Sequence, residues 1–204
     1  LESTFIGLWI FGRNKLKPSV HLATIWAVAV GSMASAYFIL AANAWMQHPV
    51  GFKIVEETGR AEMTSIWAVL TNSTALYAFA HTILAALATA GMILLGVAAW
   101  YLLKGRDVEV FRPAAKVGAS LAFVAVFLTM TVGHFQAQLM TEQQPMKMAA
   151  AEALYETEES APFSLFAVAP FVARPERSSF DIGVPAGLSF LSTNSFDGEV
   201  QGVN

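Results

Sequence analysis

From Met63 to Leu103 the sequence contains no Asp, Glu, Lys or Arg, and His81 is the only side chain in that run that titrates near neutrality. A bilayer crossing needs about 20 predominantly apolar residues, whereas a soluble core seldom uses an uninterrupted stretch of this length. Two further stretches have the same character, so the sequence predicts full membrane spans over roughly 20–46, 71–103 and 117–139. Residues 1–12 read as the second half of a fourth span. The expected fold class is therefore all-α: an integral membrane helical bundle, with three full transmembrane helices and part of a fourth over 1–139, followed by a non-spanning external segment over 140–204 that carries a short helix.

Composition agrees with this and closes off several function classes. Of the 204 residues 55% are hydrophobic and only 13% charged, and the mean hydropathy is +0.53, which is a membrane-protein balance rather than a soluble one. The net charge of -3 comes with no Lys/Arg-rich run, which sets nucleic-acid binding aside. There is no cysteine, which removes disulfides, thiolate metal sites and cysteine nucleophiles. No Gly-rich phosphate loop, paired His-Glu zinc motif or Ser-His-Asp arrangement is present. The opening Leu1-Glu2-Ser3, inside an apolar stretch, reads as the start of an internal fragment.

Loop charge sets the expected orientation, because cytoplasmic loops hold the excess of basic residues. Arg13, Lys15, Lys17, Lys104, Arg106, Arg112 and Lys116 fall on one side. The loop between Gln47 and Glu62 has only Lys53 and Arg60 against Glu56, Glu57 and Glu62, and is placed outside. Alternation then puts 140–204 outside as well. Trp45 near the outer face and Trp100-Tyr101 near the inner one fit interfacial aromatic belts. The tail holds nine acids and three bases, with four prolines between Pro162 and Pro185. A short helix is expected from Pro145 to Tyr155, with Pro near its first turn and strong helix formers after it, and irregular structure beyond Glu159.

An ionisable group inside a span is costly and marks function by default. For His81 three readings stand open: an axial ligand to a haem, a proton relay, or a histidine packed against a neighbouring helix. The small residues Ala85, Ala86, Ala88 and Gly91 after it suit either a macrocycle or helix packing. Glu2 lies about ten residues before the inner boundary at Gly12, which places its carboxyl at mid-membrane, either protonated or paired. Ser3, Ser35 and Asn43 could extend a hydrogen-bonded proton route, or simply satisfy helix contacts. Lys147 and Glu152 stand five apart, about 140° around a helix, and could flank a polar head group as donor and base, or be ordinary solvated charges. His21, His48 and His134 read as interfacial histidines without an assigned role.

The order of these residues carries a resemblance. Leu1-Glu2-Ser3-Thr4-Phe5 with Gly7-Leu8, Ala42-Asn43-Ala44-Trp45-Met46-Gln47-His48-Pro49, Ala80-His81-Thr82, Trp100-Tyr101-Leu102-Leu103-Lys104-Gly105-Arg106 and Lys147-Met148-Ala149-Ala150-Ala151-Glu152 with Tyr155-Glu156-Thr157 together resemble subunit I of cytochrome bd-type quinol oxidases. Arg13 departs from that pattern, standing where the family commonly has Trp.

The resemblance implies a terminal respiratory oxidase of the bacterial cytoplasmic membrane that oxidises a membrane quinol, ubiquinol or menaquinol, and reduces dioxygen to water, contributing to the proton gradient. It implies low-spin haem b with His81 as an axial ligand to its iron, and high-spin haem b and haem d in the complete subunit. It also implies subunit II and the lipid bilayer as partners, and no nucleic acid. Lys147 and Glu152 match quinol-binding and quinol-oxidising positions of the family's quinol loop, which 140–204 would supply. Glu2 matches a glutamate of the proton route, with Ser3, Ser35 and Asn43 at polar positions near it. The remaining haem ligands fall outside this chain, so it is expected to be inactive alone. From another class, the alternative is a non-enzymatic assembly or anchor module, or a proton-conducting transporter, in which His81 and Glu2 only pack or relay protons.

Overall fold

A computed structural model describes residues 2–168 and 180–203. The chain packs as two compact units, 1–83 and 84–204, whose boundary lies inside one long helix.

In the first unit, α1 (Glu2–Gly12) turns through a short basic loop into α2 (Pro18–Gln47). Pro18 begins α2 because its missing N–H costs nothing at the first turn, and it holds Lys17 extended. His21 Nε2 lies 2.7 Å from the Trp9 carbonyl oxygen, one of the carbonyls that the end of α1 leaves without a helical partner. The two rings stack at 6.0 Å. After α2 the chain forms a hairpin, β1 (Phe52–Val55) against β2 (Arg60–Met63). Gly51 is fixed by both conformation and space: its φ is +66°, and a Cβ there would lie 2.6 Å from the Ser65 carbonyl oxygen. The short α3 (Ile66–Leu70) is capped by the Ser65 hydroxyl, which accepts from the Ala68 N–H at 3.2 Å.

Asn72 then starts α4 (Ser73–Leu103). Its Oδ1 accepts from the Thr74 N–H at 3.0 Å, and its Nδ2 donates to the His48 carbonyl oxygen at 2.9 Å. This buried amide joins the end of α2 to the beginning of α4. Beside it Ala41, Ala44 and Ala75 are buried with Leu70 against them, and the Tyr37 hydroxyl donates to the Leu70 carbonyl oxygen. The expected span over 71–103 thus begins two residues later, because Thr71 and Asn72 are spent on a cap and a turn.

In the second unit, α4 ends in a left-handed turn at Gly105 (φ +63°). The Arg106 N–H bonds to the Tyr101 carbonyl at 3.1 Å and the Gly105 N–H to the Leu102 carbonyl at 3.0 Å, the pairing that closes a helix with a glycine stop. Lys104 Nζ sits 3.8 Å from the centre of the Trp100 ring. The next helix, α5 (Val108–Gln143), is longer at both ends than the expected 117–139, with Pro113 inside it. Gly118, Ala122 and Ala125 are buried on its α4-facing side, the small-residue packing that membrane helices use where apolar bulk gives no driving force.

The tail differs from expectation in two ways. First, α6 (Pro145–Ala151) stops four residues before Tyr155. Ala153 takes a left-handed conformation (φ 53°), and this reversal carries Leu154 into the core. Second, the chain beyond Glu159 is ordered rather than irregular over the described residues. β3 (Glu158–Glu159) leads to β4 (Phe163–Val168), then β5 (Phe180–Val184), α7 (Gly187–Thr193) and β6 (Glu199–Val200). β4 pairs with β5, and β3 with β6, both antiparallel. Pro162 and Pro185 stand just outside the β4–β5 pair, where a missing N–H does no harm, so they punctuate structure instead of preventing it. Positions 169–179, part of the stretch expected to be irregular, lie outside the described residues, as does Leu1.

Met148, Ala149, Leu154, Ala161, Leu188 and Val200 form the tail's core, and Ala137 and Met140 of α5 pack against it. The wholly buried Ser189 ties three segments together, accepting from the Ala161 N–H at 2.8 Å and donating to the Gly198 carbonyl at 2.6 Å.

Candidate functional site

His81 lies eight residues into α4 from Ser73, about 12 Å along the axis. The residue is half-buried, yet its Nδ1 is buried with no hydrogen-bond partner. An unsatisfied ring nitrogen on an apolar helix costs a few kcal/mol unless something outside the described chain completes it. A group from elsewhere in a longer protein, or a metal on the imidazole, would do so. No cluster of three or more His, Cys, Asp or Glu that could hold a metal occurs among the described residues.

Glu2 is half-buried at the start of α1, Ser3 and Ser35 are exposed, and the exposed Asn43 accepts from the Gln47 amide. No hydrogen bond joins Glu2, Ser3, Ser35 and Asn43 to one another among the described residues. Ser35 and Asn43 share α2, about 12 Å apart along its axis.

Around Glu152 the structure brings more together. Glu152 is the C-cap of α6, with Lys147 exposed on the same helix. Glu152 Oε2 accepts from the Ser164 backbone N–H at 3.2 Å, and the Ser164 hydroxyl donates to Asp181 Oδ2 at 2.8 Å. One serine of β4 thus holds two carboxylates, one at the end of α6 and one on β5. Burial pushes the Glu152 pKa above its ordinary value, the Ser164 N–H pulls it partly back, and the negative charge of Asp181 raises it further. Neither Ser164 nor Asp181 was legible as a site residue. Only the pairing of β4 with β5 brings Asp181 beside residue 164.

The other histidines take structural positions. His48 closes α2 and offers its carbonyl to Asn72. His134 Nε2 lies 2.8 Å from Asn194 Oδ1, fastening the end of α7 to α5. Nearby, Gln136 Oε1 is buried without a partner.

The sequence profile described as cytochrome bd terminal oxidase subunit I matches residues 1–204. The chain belongs to the cytochrome bd terminal oxidase subunit I family. It is 41% identical over its whole length to cytochrome bd ubiquinol oxidase subunit 1 of Bacillus subtilis strain 168, covering 43% of that protein. It is 38% identical to cytochrome bd-II ubiquinol oxidase subunit 1 of Escherichia coli K12, covering 39% of it. The solved structure of the bd oxidase from Geobacillus thermodenitrificans superposes with a TM-score of 0.78 at 29% identity, over 100% of this chain and 46% of that one. The chain therefore spans less than half the length of these relatives. As a subunit I family member with three helices long and apolar enough to cross a bilayer, it is a multi-pass protein of the bacterial cytoplasmic membrane. The family is one of haem-containing oxidases.

Proposed function

We propose that this chain forms part of the haem-bearing subunit of a quinol:dioxygen oxidoreductase, which oxidises membrane quinol on its outer side and reduces dioxygen to water with protons drawn from the inner side. The observation that carries the reading is the buried, unpartnered Nδ1 of His81 in a span free of acidic and basic residues, in a chain of this family.

The His81 imidazole fits an axial ligand of low-spin haem b. When bound, that haem supplies one-electron transfer between quinol and the dioxygen-reducing site. The remaining ligands, high-spin haem b and haem d would come with the rest of the subunit. Residues 140–204 form the quinol-binding segment on the outer face. There the Lys147 ammonium donates to a quinol oxygen, and Glu152 accepts a hydroxyl proton as the quinol is oxidised. The raised pKa of Glu152 suits this role, since a base works best when its proton affinity lies near the working pH. Glu2 would hold and pass protons bound for dioxygen reduction, with Ser3, Ser35 and Asn43 near that route. Subunit II and lipid would cover the apolar faces that α2, α4 and α5 leave exposed, among them Phe38, Ile93 and Phe123.

The test is a reduced-minus-oxidised visible spectrum of membranes containing the complete subunit with its partner. Low-spin b and d-type bands are expected, with the low-spin b band lost in His81→Ala. An intact low-spin b signal in that variant would remove His81 as ligand, and a colourless wild-type protein supplied with haem would remove the oxidase reading.

A further inference from the structure

We propose that Asp181, held by Ser164, is a positioning residue for Glu152: it sets the pH at which that carboxylate takes a proton from the substrate. The inference rests on the reading of Glu152 as the base of a quinol site, and adds to it two residues from the far side of the tail.

The geometry assigns each part a separate task. The Ser164 backbone N–H fixes one oxygen of Glu152 at 3.2 Å, and its hydroxyl fixes Asp181 at 2.8 Å. The two carboxylates are therefore held near each other by one residue, although Glu152 ends α6 and Asp181 lies on β5. A second carboxylate would normally drift away from the first in water, because like charges repel and nothing repays the approach. Here the serine hydroxyl repays it. Asp181 is itself exposed, while Glu152 sits half-buried. Of the two, Glu152 is the one whose proton affinity is raised, by burial first and by its neighbour as well. Among the described residues β5 brings Asp181 to Glu152, Lys147 stands about 140° around α6 from it, and β4 and α7 carry no ionisable side chain. Asp181 opposes ionisation of Glu152, and the Ser164 N–H favours it, so removing Asp181 leaves the pull of that N–H with less to oppose it.

The experiment uses the complete oxidase in membranes and measures the pH profile of kcat/KM with a soluble short-chain quinol. Asp181→Asn is expected to move the acid limb to lower pH while the haem bands and the alkaline side stay unchanged. Asp181→Glu should restore the wild-type limb. Ser164→Ala keeps the backbone N–H and both charges but frees Asp181, so it should move the limb the same way by less, and it serves as the measurement if Asp181→Asn does not assemble. An unchanged acid limb in whichever variant assembles overturns the inference. Glu152→Gln, run in parallel, separates this outcome from failure of the parent reading. If Glu152→Gln turns over quinol normally, the quinol-base reading is wrong. If it is crippled while the Asp181 and Ser164 variants keep the wild-type limb, only the role of Asp181 is wrong.

Discussion

Gly91 on α4 and Gly118 on α5 meet backbone to backbone: a Cβ on Gly91 would lie 2.7 Å from the Ala122 nitrogen, and one on Gly118 would lie 2.8 Å from the Leu95 nitrogen. Neither neighbour can swing aside, because both are main-chain atoms. Gly118→Ala should therefore push the helices apart and cost about 1–3 kcal/mol, the usual scale of overpacking. Thermal unfolding of the complete subunit in detergent checks this, and an unchanged midpoint would mean that the helices do not pack so closely.

Asn72 does two jobs with one amide, capping α4 and holding the end of α2. Asn72→Ala should lose the cap, about 1 kcal/mol, and the bond to the His48 carbonyl as well. Asn72→Asp keeps an acceptor for the Thr74 N–H and should be milder. Limited proteolysis of the neighbouring 52–63 hairpin would rank the variants, with wild type slowest to be cut. Equal cleavage rates would dismiss the amide's role.

For Lys147, one charge-assisted contact to a quinol oxygen is worth about 1.5 kcal/mol, so Lys147→Ala should raise KM by about tenfold with the haem bands preserved. Steady-state kinetics with a short-chain quinol decide it. A KM within error of wild type would leave Lys147 an ordinary solvated cation.

Glu2→Gln should slow dioxygen uptake while electrons still enter, so that the haems stand more reduced during turnover. Simultaneous oxygen-electrode and visible-spectrum measurements would show this. Wild-type turnover with wild-type reduction levels would take Glu2 off the proton route.

Glu152 also predicts how the tail responds to pH. Its folded-state pKa is raised, first by burial, so the folded tail binds a proton that the unfolded chain has already released. The stabilisation is complete below the ordinary carboxyl range and is lost as pH rises through the folded-state value. Protease susceptibility of the tail in the intact protein should increase across that window and level off above it. In Glu152→Gln it should be flat, and a flat wild-type profile would contradict the shift.

The spans were legible because bilayer crossing writes itself into composition. Charge-free runs, the basic turns at Arg13–Lys17 and Lys104–Arg106, and the prolines at 18 and 145 all mark boundaries that a single sequence reveals. His81 stands out in the sequence for the same reason, one imidazole against a charge-free background, and the structure leaves its Nδ1 without a partner. The tail was not legible. Its strands are short and its core draws single residues from distant positions, such as Leu154, Leu188 and Val200, so no periodicity signals it. Of the prolines that suggested irregular structure, Pro162 and Pro185 lie at strand margins. Asp181 could not have been placed beside residue 164 without the register of β4 and β5.

That register has a last consequence for how such a protein can change over evolutionary time. Val168 faces Phe180 across the β4–β5 pair, and farther out the Val203 N–H bonds to the Leu154 carbonyl at 3.1 Å. The backbone leaves β4 at Val168 and enters β5 at Phe180 on a single rung. The closure entropy of a connection whose ends are already joined grows slowly with its length, by about 0.6 kcal/mol per doubling. Residues inserted after Val168 would lengthen that connection and leave the contact between Glu152 and Ser164 where it is.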